Sequence, residues 1–192
     1  AGHTKAIDYR KQSGSKSGMA FSWKKLGSLY NKSGEKAKSL AAYDSAAHYY
    51  TITKDSARLK DLLSDIGDVY YNDKQYQKAF ATYFKWHQLN IATKNKSEIT
   101  NSLYQLAESS NNFNTDTAKQ YALSCLQQSK EIGDKNNIYN ASTLLGFIAY
   151  KKYDYDEGNK YFSEGLNVAI DQKNKKLEAT SYKYLGLAHN SK

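Results

Sequence analysis

Proline does not occur anywhere in the 192 residues. Chains built on β-turns draw on proline to preset their backbone, so its absence favours helices joined by short polar turns. Cysteine is nearly absent too. Cys125 alone cannot close an internal disulfide, and neither a disulfide framework nor a cysteine-based zinc site can be built. One cysteine leaves the compartment open between cytoplasm and periplasm. No stretch of about eighteen apolar residues occurs, so no segment reads as a membrane span, and no signal-peptide pattern is present. Ala1-Gly2-His3 reads as a cloning remnant, which leaves room for a native leader or anchor that was trimmed. Long basic runs are missing as well, although the net charge is +9 and the pI about 9.3. The lysines stand singly or in pairs such as Lys24-Lys25, Lys151-Lys152 and Lys175-Lys176. That pattern reads first as a solvated face, with nucleic acid or an anionic surface as the alternative partner.

Recognisable chemistry is also lacking. No phosphate loop, zinc-binding His-Glu pattern or nucleophile elbow appears, and no motif calls for a cofactor. Of the four histidines, His3 belongs to the remnant, and His48 and His87 occupy similar places in neighbouring segments. No carboxylate or cysteine cluster completes a metal-ligand set with them, so they and His189 read as surface residues. Cys125 reads as a buried structural thiol. The reading is therefore non-catalytic, with no metal site.

What the chain does have is tyrosine, 18 copies, within a hydrophobic fraction of only 40%. Tyrosine packs its ring while presenting a hydroxyl to water, which suits a thin structure with much half-exposed surface. It also has a repeat. Trp23–Leu26–Gly27–Tyr30, Leu63–Ile66–Gly67–Tyr70, Leu103–Leu106–Ala107, Ser142–Leu145–Gly146 and Tyr182–Leu185–Gly186 share one spacing. The small residues at 27, 67, 107, 146 and 186 lie 40, 40, 39 and 40 apart. Positions i, i+3, i+4 and i+7 share one helical face. A glycine inside a helix costs up to about 1 kcal/mol relative to alanine, and close approach of a neighbouring helix is the usual compensation. A second helix follows each first one, with Ser39, Tyr43 and Ala46, then Ala79 and Tyr83, then Ala118, Ala122 and Cys125, then Gly158, Phe162 and Gly165. Ser56 and Ser97 are the expected N-caps of the helices they precede.

These residues resemble the tetratricopeptide pattern over roughly residues 18–190. The pattern is a large residue, Leu-Gly and Tyr in helix A, then small, aromatic and small residues in helix B. The copies span about 18–56, 57–96, 97–136 and 137–174, with a lone final helix at 175–190 and an N-terminal segment at 1–17. Ala6-Ile7-Asp8 resembles the end of a helix B. The third copy has Ala107 for glycine and Ser110 for tyrosine; the fourth has Ser142 and Ala149 at the large positions; Trp86 stands where a small residue is usual. The period exceeds the roughly 34 residues of the common form and is similar to long-period bacterial arrays. The resemblance implies an all-α fold, an α-α superhelix of antiparallel helix pairs forming a right-handed solenoid.

It also implies that helix A lines a concave groove. The lining would comprise Phe21, Lys24, Ser28 and Asn31; Asp61, Ser64, Asp68 and Tyr71; Asn101, Tyr104, Glu108 and Asn111; Asn140, Thr143, Phe147 and Tyr150; and Thr180, Lys183 and Leu187. Asp61, Asp68 and Glu108 make it acidic inside a basic protein, among asparagines and tyrosines that suit an extended backbone. The expected partner is a protein or an extended polar or basic peptide. The chaperone carboxylate clamp of some family members does not carry over, because Lys24 is followed by Ser28 and the third copy supplies Tyr104 and Glu108. The expected role is a scaffold or the sensing region of a larger signalling protein, and a regulatory domain beside an enzyme stays open. The uncapped final helix offers a route to self-association.

Overall fold

The computed structural model describes residue 10 and residues 14–189, without the side chains of residues 187–189. Apart from Arg10, the expected helix end around residues 4–12 lies outside these, as do His3 and the side chains of Leu187 and His189. Nine α-helices and no strand occur among the described residues: α1 Lys16–Lys32, α2 Lys36–Ile52, α3 Ser56–Asn72, α4 Tyr76–Thr93, α5 Lys96–Ser110, α6 Thr115–Ile132, α7 Lys135–Lys151, α8 Tyr155–Asp171 and α9 Lys175–His189. The helices form two compact units, residues 1–89 and 90–192, with the boundary inside α4.

In the first unit a three-residue turn folds α2 back on α1. Gly27 receives the ring of Tyr43, and a Cβ at 27 would stand 2.6 Å from Tyr43 Cε1. Ser39 Oγ donates to the Gly27 carbonyl at 2.8 Å and ties the same joint. Gly67 of α3 receives Tyr83 of α4 in the same way. These glycines are the close approaches that their helix-propensity cost implies. Ala20, Tyr43, Ala46, Tyr50, Leu62 and Val69 form the core between them.

The second unit repeats the joint at Gly146, where Phe162 of α8 packs and a Cβ would stand 2.5 Å from Phe162 Cε1. Between α5 and α6 the joint is built differently. Ala107 takes the glycine position and Ala122 the ring position, and both lie fully buried in one cluster with Leu103, Ala118, Cys125 and Leu145. A small–small pair replaces a gap and a ring. Beside it runs a polar seam. Asn137 Nδ2 donates to Asp134 Oδ2 at 2.8 Å and to Asn101 Oδ1 at 2.6 Å, while Cys125 Sγ lies 3.3 Å from the Thr100 carbonyl. Burial pushes the Cys125 thiol up to about 12, so it stays protonated and packs as a small apolar residue.

Helix ends correct two expectations. The α3 cap is Asp55, which accepts from the Arg58 N–H, and the α5 cap is Asn95, which accepts from the Glu98 N–H. Ser56 is the first helical residue of α3 and Ser97 lies inside α5, each past the position from which a side chain reaches the third amide. After the C-terminus of each of seven helices one residue turns left-handed: Gly34 and Gly133, but also Lys54, Lys74, Lys94, Tyr153 and Lys173. His87 is also corrected. It is 9% exposed and aligns with Ala47 rather than with the exposed His48, and burial lowers its pKa.

Candidate functional site

In the first unit the helix-A residues engage one another. Lys24 of α1 pairs with Asp65 of α3 at 3.0 Å. Asp65 completes an acidic row with Asp61 and Asp68 at i, i+4 and i+7, a spacing visible in the sequence. Asp68 accepts from the Tyr83 hydroxyl at 2.7 Å, so it latches the ring that covers Gly67. Burial raises the Asp68 pKa, the Tyr83 bond lowers it, and the Asp65 charge raises it further. Ser28 stands against Tyr43, whose hydroxyl burial and the charge of Asp65 push up to about 12. Phe21 is 46% exposed, and Asp61 is exposed; Ser64 is half-buried.

The last residue named from each helix lies near the turn. Tyr71 meets Tyr76 edge-on at 5.4 Å, and Tyr150 meets Tyr155 at 5.2 Å. Asn111 Oδ1 accepts from Lys151 Nζ at 3.2 Å. Asn31 is half-buried at the end of α1. Asn101 is engaged with Asn137, and Lys183 is exposed.

The second unit gathers the rest. A cleft of about 350 Å³ is lined by Tyr104 and Glu108 of α5, by Tyr139, Asn140, Thr143, Leu144 and Phe147 of α7, and by Leu177, Thr180 and Tyr184 of α9. Tyr139, Leu144, Leu177 and Tyr184 were not among the expected lining residues. Phe147 and Tyr184 meet edge-on at 4.8 Å, and Phe147 also packs on Phe162 at 5.1 Å. Phe147 still leaves 38% of its surface exposed. The Tyr104 hydroxyl donates to Glu108 Oε1 at 3.2 Å, which fixes the carboxylate at the wall. Glu108 is the acid in a lining that contains no lysine or arginine.

Many lysines elsewhere are paired from one repeat to the next: Lys36 with Asp73 at 3.0 Å, Lys119 with Glu157 at 2.8 Å, Lys135 with Asp171 at 2.6 Å, Lys130 with Glu164, and Lys152 with Asp116. Such partly exposed pairs add little to stability, but they draw cationic charge onto protein carboxylates. Among the described residues no group of three or more His, Cys, Asp or Glu is placed to hold a metal ion, and no helix is long and apolar enough to cross a membrane.

No family model matches the chain, and no curated protein matches it. Solved structures do. BtubC from P. vanneervenii is 14% identical with a TM-score of 0.81, covering 98% of this chain and 81% of that one. Aspartyl phosphate phosphatase F from Bacillus subtilis is 18% identical with a TM-score of 0.80, over 97% of this chain and 49% of that one. The Rap conjugation gene regulator of plasmid pLS20, solved in complex with the Phr* peptide, is 13% identical with a TM-score of 0.68, over 94% of this chain and 55% of that one. This chain thus spans about half the length of the latter two. The likeness carries the fold: all-α, of the tetratricopeptide-like kind.

Proposed function

We propose that this chain is a non-catalytic binding module that holds an extended peptide segment of a partner protein, and that the cleft in residues 90–192 receives a basic side chain of that peptide. One observation carries the reading: an aromatic cleft whose wall holds a single carboxylate, Glu108, within a protein of net charge +9. An ammonium or guanidinium there meets aromatic faces and one negative charge together. Cation–aromatic contact contributes about 0.5–2 kcal/mol, and Asn140 and Thr143 stand beside it to hydrogen-bond a peptide backbone. The peptide-bound state of one structural relative supports the same direction. A sensing or interaction role within a larger bacterial signalling protein is the context this proposal favours. Nucleic acid ranks second, because many lysines are already matched to carboxylates.

The test is a peptide array whose members differ only at one central position, carrying Arg, Lys, Gln or Glu. Retention should favour Arg and Lys, and Glu108→Gln should weaken those members by about tenfold, which corresponds to roughly 1.4 kcal/mol. Equal retention of Gln and Arg members by the parent chain would refute the basic-peptide reading.

A further inference from the structure

Four described glycines closely meet a ring; Gly158 of α8 faces Tyr150 of α7, and the three that lie in the first helix of a pair share one rule. Gly27 takes Tyr43, Gly67 takes Tyr83 and Gly146 takes Phe162, with the ring sixteen residues after its glycine each time. Gly186 stands in α9 forty residues after Gly146, with Tyr182 four before it and Leu185 just before it, as Trp23 and Leu26 precede Gly27. Its surroundings differ completely. Among the described residues a Cβ at 186 would meet nothing within 4 Å, Gly186 itself is exposed, and Tyr182 beside it is 54% exposed. A helical glycine costs about 1 kcal/mol relative to alanine, and at the other three sites a seated ring gives the reason for it.

We infer that the face of α9 around Gly186 is a docking site for an amphipathic helix that presents a tyrosine or phenylalanine ring to this glycine. The three filled sockets state what such a helix must look like. The ring is preceded four residues earlier by a small residue, Ser39, Ala79 or Gly158. In the first and last of these helices a small residue, Ala46 or Gly165, also follows the ring by three. Small residues let the helices approach, and the ring fills the space left by the missing Cβ. Tyr182 would then be covered by the same helix. This face is separate from the cleft, and the inference stands whether or not a peptide binds there.

The test is a graft read by chemical denaturation. Replacing Ser191 and Lys192 with a copy of Lys151–Asp171 sets the copied phenylalanine sixteen residues after Gly186. The grafted chain should unfold at a higher denaturant concentration, and this gain should vanish when the copied phenylalanine becomes alanine or when Gly186 becomes alanine. In the parent chain Gly186→Ala should leave the midpoint unchanged or raise it, which separates loss of the socket from loss of folding. A covalently stapled helix of the same copied sequence, added to the parent chain, should perturb the α9 amide resonances, and Gly186→Ala should weaken it by about tenfold, roughly 1.4 kcal/mol. A graft gain that survives Gly186→Ala would overturn the assignment. So would a concentration-dependent dimer of the parent chain that Gly186→Ala dissolves, because a second copy would then be the occupant.

Discussion

Adding one methyl group at Gly67 tests the ring-on-glycine joint at its tightest point. The new Cβ would stand 2.5 Å from Tyr83 Cδ1 and 2.9 Å from Cζ, where ordinary contact begins near 3.4 Å. The obstacle is the edge of the ring itself, in a residue that is 1% exposed. It must retreat by about 1 Å, and overpacking of this kind costs about 1–3 kcal/mol. Retreat also strains the bond from the Tyr83 hydroxyl to Asp68, 2.7 Å long, which contributes about 1.5–3 kcal/mol as a bond to a charged group when fully desolvated and less in this half-buried setting. Against these stands the helix-propensity gain of about 1 kcal/mol for glycine to alanine. The net expectation for Gly67→Ala is a loss of about 1–3 kcal/mol. Urea unfolding followed by circular dichroism reads it as a lower midpoint at unchanged slope. The decisive arm is the double variant. Tyr83→Ala alone should cost about 3–5 kcal/mol. In that background Gly67→Ala should stabilise by up to about 1 kcal/mol, because only propensity remains. The α5–α6 joint, with Ala107 and Ala122, already shows this pairing built and buried. Additive single and double effects would refute the reasoning, since the methyl group would then be costing something other than the ring's seat.

Asp68→Asn keeps an acceptor for the Tyr83 hydroxyl while removing a charge that burial disfavours. It should raise stability at neutral pH by up to about 1 kcal/mol. Because the folded pKa of Asp68 lies above its usual value, the folded chain holds that proton longer than the unfolded one. Stability from this group is therefore full below about pH 3.8 and is lost as pH rises through the folded pKa, so the gain from Asp68→Asn should shrink on acidification in pH-resolved denaturation curves. His87 works the other way: its lowered pKa means that stability should fall as pH drops below about 6.5, and His87→Gln should flatten that slope. Lys74 sits at φ 59, a left-handed conformation that costs side chains about 1–2 kcal/mol. Lys74→Gly should therefore raise the thermal midpoint, while Gly34→Ala, at φ 78, should lower it.

The helix pairs were legible because their signal is periodic and redundant. Leu26, Gly27 and Tyr30 declare a face on their own, and the next copies repeat the declaration. Caps were less legible because Asp55-Ser56 offers two good capping oxygens in a row, and only the backbone turn decides which one reaches the third amide. The left-handed lysines carry no signal at all, since their conformation is imposed by the two helices that each turn must join. His87 was legible from the period, because it lies forty residues after the half-buried Ala47 and not after the exposed His48. At the site, Tyr104, Glu108, Asn140, Thr143, Phe147 and Thr180 come together because their positions recur on alternate helices. Tyr139 and Tyr184 escaped notice because each lies one residue off the stripe taken as lining, and a ring reaches around the helix edge where a small side chain does not. Asn31, Tyr71, Asn111 and Tyr150 share the right face but lie at its far end, where the turn engages them.

The ring-on-glycine joints also bear on how fast this chain can fold. Each joins residues only sixteen positions apart, within one helix pair, and the ion pairs between repeats reach from 34 to 41 positions. Loop-closure entropy grows slowly with separation, and rates follow the mean separation of contacting residues. A pair can therefore seat its ring as soon as its second helix exists, with no wait for distant sequence. During synthesis this puts Tyr43, Tyr83 and Phe162 out of solvent before the next repeat has emerged. A chain so rich in half-apolar aromatic rings thereby shortens the time in which they are open to the wrong partner.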